Sequence, residues 1–155
     1  MPQATVRFHV AIDPPELRTR LSDPSFIARS IPPVVAVERT SDTTALWTVE
    51  IKLGPLVHRS VFQGALLAAT NDEVRFRATG AEATIEGVVT FHPSNAGGTD
   101  VGLTLTMAGA GPLRSIVDAY LARRFQTDTA RFAADLARRL DKPAGPPGDR
   151  GLGPA

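Results

Sequence analysis

Between Val34 and Met107 apolar and polar residues alternate with a period of two in six runs, and each run reads as a half-buried strand. The runs are separated by turn signals at Ser41-Asp42, Gly54-Pro55, Asn71-Asp72, Gly80-Ala81 and Asn95-Ala96-Gly97-Gly98, a spacing that predicts an antiparallel meander. The alternation sends Trp47, Val49, Ile51, Leu53, Val74, Phe76, Ile85, Val89, Phe91, Val101, Leu103, Leu105 and Met107 to one face. Lys52, Arg75, Arg77, Thr84, Glu86, Thr104 and Thr106 go to the other. From Leu56 to Ala68 the alternation is ambiguous, which fits a long bent strand with a bulge, and Gly64 is the expected bend. Upstream, Thr5–Ile12 alternates as a first strand, with Arg7 and His9 on its polar side. Asp13-Pro14-Pro15-Glu16 then combines an N-cap, prolines in the first turn and a glutamate in the capping-box position, and predicts a short helix to Leu21. Asp23-Pro24 opens a second short helix, which Ile31-Pro32-Pro33 stops.

After Met107 the period changes. Leu113, Ile116, Val117, Tyr120, Leu121, Phe125, Phe132, Ala133, Leu136 and Leu140 recur at helical spacing with arginines between them, predicting one amphipathic helix over Pro112–Leu140. At 1.5 Å per residue it spans roughly 40 Å, enough to lie across a whole curved sheet and to leave a cavity beneath it. Beyond Lys142 nearly every residue is a breaker, so a single domain over 1–142 and a disordered tail over 143–155 are expected.

The chain has 155 residues, 43% of them hydrophobic, which suits one core. It contains no cysteine, which excludes thiol catalysis, disulfides and thiolate metal sites. No stretch has signal-peptide or membrane-span character, so a soluble, bacterial-style cytoplasmic protein is expected, with a peripheral inner-membrane contact as a further possibility. A net charge of +1 is too small to point to nucleic acid, but it is unevenly spread: Leu113–Lys142 carries +3 and the remainder −2. The arginines of the helix fit either a solvated face, with pairs such as Asp135–Arg139 and Asp128–Arg131, or a docking face for an anionic membrane or partner. Arg124, Arg131 and Arg138, spaced by sevens, are the subset that can share a face.

Candidate chemistry is sparse. His9, His58 and His92 fall on three separate strands without a neighbouring carboxylate motif, so no metal site and no cofactor are expected. His9 and His92 read as solvent-facing, and His58 has no certain face. Gly109-Ala110-Gly111-Pro112 reads as a helix-entry loop, or else as a gate to the cavity. The concave face offers Trp47, Phe76, Phe91 and Leu105, and the helix adds Ile116, Tyr120 and Phe125. These either fill a core or line an apolar ligand pocket, and the face looks poor in catalysts.

The order of strand, two short helices, six-stranded meander and long C-terminal helix resembles the α+β helix-grip fold of START-like (SRPBCC, Bet v 1-like) domains. Within that superfamily Asp23-Pro24-Ser25-Phe26-Ile27-Ala28-Arg29-Ser30-Ile31-Pro32, Ile51-Lys52-Leu53-Gly54-Pro55-Leu56 and Phe62-Gln63-Gly64 resemble motifs of the CoxG family, which is associated with carbon monoxide dehydrogenase. Pro33 departs from the family's glycine, and the next hairpin keeps only Gly80 and Gly87 of a glycine-rich stretch. The resemblance implies a seven-stranded antiparallel sheet wrapped around the long helix, with no catalytic residues. It also implies an accessory role beside a carbon monoxide dehydrogenase-type molybdenum hydroxylase, in membrane recruitment or in handling a lipid or quinone-like molecule. Two alternatives stay open. One is a polyketide cyclase/aromatase-like enzyme, which would need a polar set such as Tyr120 with His58 or Arg59; the other is an adaptor without a ligand.

Overall fold

The computed structural model describes residues 3–31 and 34–141, apart from the side chains of residues 51, 53, 113, 120 and 121. The tail expected after Lys142 lies outside the described residues. The elements run β1 (Gln3–Val10), α1 (Pro14–Leu21), α2 (Pro24–Ser30), β2 (Val34–Arg39), β3 (Thr44–Leu53), β4 (Leu56–Ala69), β5 (Glu73–Thr79), β6 (Ala83–Pro93), β7 (Thr99–Gly109), a 3-10 turn (Gly111–Leu113) and α3 (Arg114–Asp141). One antiparallel sheet of order β1-β7-β6-β5-β4-β3-β2 makes up the β layer, so β2 to β7 form a meander and β1 returns to pair with β7. This is the expected helix-grip architecture, and all five turns fall where the sequence signals them.

Both short helices start as their sequences dictate. The Asp13 carboxylate accepts from the Glu16 amide at 3.4 Å, and that of Asp23 accepts from the Ser25 amide at 2.9 Å. β1 ends at Val10 rather than Ile12, because its ladder runs out where Val10 faces Thr99, the first residue of β7. The carbonyl of Ile12, just beyond, is taken by the Thr99 hydroxyl at 2.7 Å.

The expected bend at Gly64 needs correction. The register of β4 against β5 shifts between Leu66 and Ala68, so Leu67 is the extra residue. Gly64 has a different cause: a Cβ there would stand 2.5 Å from the Trp47 indole, which lies on the bare backbone. Gly87 plays the same part beneath Phe76, whose ring a Cβ would meet at 2.1 Å.

α3 packs on β1 and β7 and, towards its C-terminus, on α2. Its two halves are held differently. At the C-terminal end Phe132, Ala133, Leu136 and Leu140 are buried, the Arg20 guanidinium donates to the Arg139 and Leu140 carbonyls (3.3 and 3.2 Å), and Asp141 accepts from the Ala11 amide at 2.8 Å. A cation on the last carbonyls complements the negative end of the helix dipole. Near the N-terminal end Val117 is buried but Ile116 is 50% exposed. Among the described residues no helix is long and apolar enough to cross a membrane.

Candidate functional site

The β3–β4 turn, the β5–β6 turn and the start of α3 meet at one end of the grip. β4 pairs with β3 along Leu56–Ala65 but with β5 only from Gln63 onward, so Leu56–Phe62 projects past β5 as an arm joined to β3 alone. Residues directly opposite each other share a face. Trp47 faces Phe62, Val49 faces Ser60 and Ile51 faces His58, which puts Ser60 and His58 on the concave side with the buried Trp47, Val49 and Phe62. His58 Nε2 lies 3.0 Å from Glu82 Oε1 of the β5–β6 turn, tying the arm to that turn. An ionised carboxylate can only accept, so the imidazole donates from Nε2.

The same turn holds the entry to α3. Ala110 donates to the Glu82 carbonyl at 2.7 Å, and Gly109 donates to the Asp118 carboxylate at 2.8 Å. Gly111 has φ +68°, a conformation glycine adopts without strain. These contacts account for the Gly109–Pro112 loop as a pinned helix entry.

Several polar atoms are buried on the concave side or on α3. Ser60 Oγ, Glu82 Oε2, Trp47 Nε1 and Thr129 Oγ1 are buried without a hydrogen-bond partner among the described residues. Each such group costs about 1–3 kcal/mol, so a core that served only stability would place apolar atoms there. To the expectation of a face poor in catalysts the structure adds one ionisable pair, His58 and Glu82, at the open end. Glu82 reaches this side from a turn, where alternation assigns no face, and the face of His58 is fixed only by the β3–β4 register. Ser60, two residues from His58, follows from the same register.

Of the residues expected to contact a ligand, Trp47, Phe76, Phe91, Leu105 and Phe125 are buried in the main hydrophobic cluster, with the Trp47 and Phe76 rings tilted at a centroid distance of 6.2 Å. Ile116 stands apart, half exposed on the first turn of α3, and the Tyr120 side chain lies outside the described residues. On the outer surface of α3, Arg124 pairs with Asp128 at 3.7 Å and Arg138 with Asp135. The acidic partners are thus one helical turn from these arginines; Asp128 and Asp135 are the carboxylates expected to pair along the helix, with Arg124 and Arg138 as the partners seen. Arg131 is exposed. His9 and His92 face solvent as expected, but β7 places Asp100 between them. Among the described residues no group of three His, Cys, Asp or Glu is arranged to hold a metal.

A family model described as polyketide cyclase / dehydrase and lipid transport matches residues 1–141. The chain belongs to this family. No curated protein matches its sequence. Solved structures of the same fold include a START superfamily protein from Mycobacterium smegmatis (18% identity, 90% of this chain and 97% of that chain, TM-score 0.63). A conserved protein from Geobacillus kaustophilus has 14% identity, covers 90% and 95%, and has a TM-score of 0.70. The Zhui aromatase/cyclase from Streptomyces sp. R1128 has 15% identity, covers 90% and 95%, and has a TM-score of 0.55. The polyketide cyclase and lipid-transport family thus spans catalysts and carriers on one fold, and the side chains of the concave face must decide between them.

Proposed function

We propose that this family member binds an apolar small molecule bearing a hydrogen-bonding group, a lipid or quinone-like compound, between α3 and the concave face of the sheet. The observation that carries this reading is the set of unpartnered buried polar atoms, above all Ser60 Oγ and Glu82 Oε2 beside His58. A ligand hydroxyl or carbonyl at the open end would relieve their cost, while the apolar body is held by area alone at about 25 cal/mol per Å². Trp47, Phe76, Leu105 and Phe125 form the proposed wall, Phe91 of β6 the floor, and Ile116 and Tyr120 follow on the first turns of α3. Titration with a short-chain ubiquinone tests this, because Trp47 is the sole tryptophan. Saturable quenching that weakens in Ser60→Val and His58→Phe is expected; fluorescence that no quinone or fatty acid changes contradicts it.

A second reading, a cyclase/aromatase-like enzyme, is favoured by the His58–Glu82 pair, since an imidazole oriented by a carboxylate can move a proton. Turnover of a poly-β-ketone that His58→Phe abolishes while binding persists would select it.

The accessory role beside a carbon monoxide dehydrogenase-type hydroxylase is supported by the Asp23–Pro32 and Ile51–Leu56 motifs, and co-purification with such an enzyme tests it. A membrane contact through Arg124, Arg131 and Arg138 has less charge to draw on than three free arginines. Two of the three have carboxylate neighbours, so the net contribution is about 1 kcal/mol near an anionic leaflet.

A further inference from the structure

The outer face of the sheet carries a notch that packing does not require. Gly102 sits in the middle of β7, opposite Arg7 of β1 on one side and Thr90 of β6 on the other. Gly64 and Gly87 are forced by the aromatic rings on them, but a Cβ at Gly102 would meet only the rotatable Thr90 hydroxyl, at 3.0 Å. Its backbone is not left-handed either. Glycine in a strand interior weakens the strand, so an unforced one leaves an opening at some cost to stability. Gly102 lies in the lining of a solvent-open cleft of about 530 Å³.

Around it stand one guanidinium, two imidazoles and several hydroxyls that can hold an anion, together with the Asp100 carboxylate. Arg7 is exposed and makes no ion pair among the described residues. The row below Gly102 is His9, Asp100 and His92, with His9 Nδ1 3.1 Å from Asp100 Oδ1 and His92 Nε2 3.8 Å from Asp100 Oδ2. The carboxylate therefore orients the His9 imidazole by a hydrogen bond and has His92 as a looser neighbour at the edge of the cleft, and its own charge directs an anion away from it, towards Arg7 and the threonine row. The row above supplies the hydroxyls of Thr5 and Thr104, which bond each other at 3.1 Å and can turn to a ligand. The guanidinium fork matches the oxygens of a phosphate or carboxylate, and the hydroxyls and N–H groups complete the shell.

We propose that this cleft is a second ligand site, on the face opposite the apolar one, for a molecule carrying a phosphate group. The test uses inorganic phosphate and backbone amide NMR on the full chain. Saturable shifts confined to residues of β1, β6 and β7 around Gly102 are expected, with affinity falling at least about tenfold in Arg7→Gln, as loss of one bidentate charge-assisted contact implies. Gly102→Val should abolish binding with an equal or higher melting temperature, because valine suits a strand; loss of binding then cannot be ascribed to unfolding. Vesicles of phosphatidylcholine with and without phosphatidic acid identify the source. Arg7-dependent binding to the acidic vesicles assigns a lipid headgroup, and phosphate binding without it assigns a soluble phosphate. Absence of shifts, or shifts that persist in Gly102→Val, overturns the proposal.

Discussion

The two ends of the grip differ in how they satisfy their polar groups. At the end formed by α1, α2 and the last turns of α3, side chains close what the elements leave open: Arg20 takes the final carbonyls of α3, Asp141 the Ala11 amide, and Thr99 the Ile12 carbonyl. At the other end the β3–β4 arm overhangs its neighbour, Ser60 Oγ and Glu82 Oε2 stay unpartnered, and Leu56, Val57, Val61 and Ile116 are half or more exposed. The first end is the better satisfied, though Ser30 Oγ of α2 is buried there without a partner among the described residues and Leu67 is half exposed. The other gives up hydrogen bonds and apolar burial, as binding regions do when they are drawn from the less stable part of a fold.

That contrast can be broken by mutation. The largest effect is expected at the closed end, where Phe132→Ala should cost about 3–5 kcal/mol in chemical denaturation, since a buried ring leaves a cavity. A much smaller loss there would mean that the closed end also borders empty space. Gly87→Val should cost about 1–3 kcal/mol, because its side chain collides with the Phe76 ring on which the concave wall depends. A neutral result would show that the ring can move aside. Arg20→Met should cost about 1–2 kcal/mol by stripping the α3 carbonyls of their donor, read as earlier amide exchange in the last turn of α3. Ile116→Ser should stay within about 0.5 kcal/mol in stability yet weaken quinone quenching of Trp47, separating rim from core.

Much of this architecture is legible in residue order. Period-two alternation assigns the faces of β3 and β5 to β7, and paired breakers mark the turns, because both are local properties. Gly64 misleads because a strand glycine signals a bulge and a close approach equally, and only the position of Trp47 separates the two. The His58–Glu82 contact is not legible, since it depends on how far one hairpin overhangs its neighbour. Asp100 between two histidines depends on the register of three strands from opposite ends of the chain. Long-range register, rather than composition, is what the sequence conceals here.

The most direct test of the central claim is native mass spectrometry of the purified protein after exposure to a bacterial membrane extract, comparing wild type with Ser60→Val. The account predicts a bound species of lipid or quinone mass on the wild type. It further predicts depletion of that species on Ser60→Val, although removing a buried unpartnered hydroxyl leaves the empty variant as stable as wild type or more so. No adduct on either protein, or the same adduct on both with a less stable variant, would contradict it.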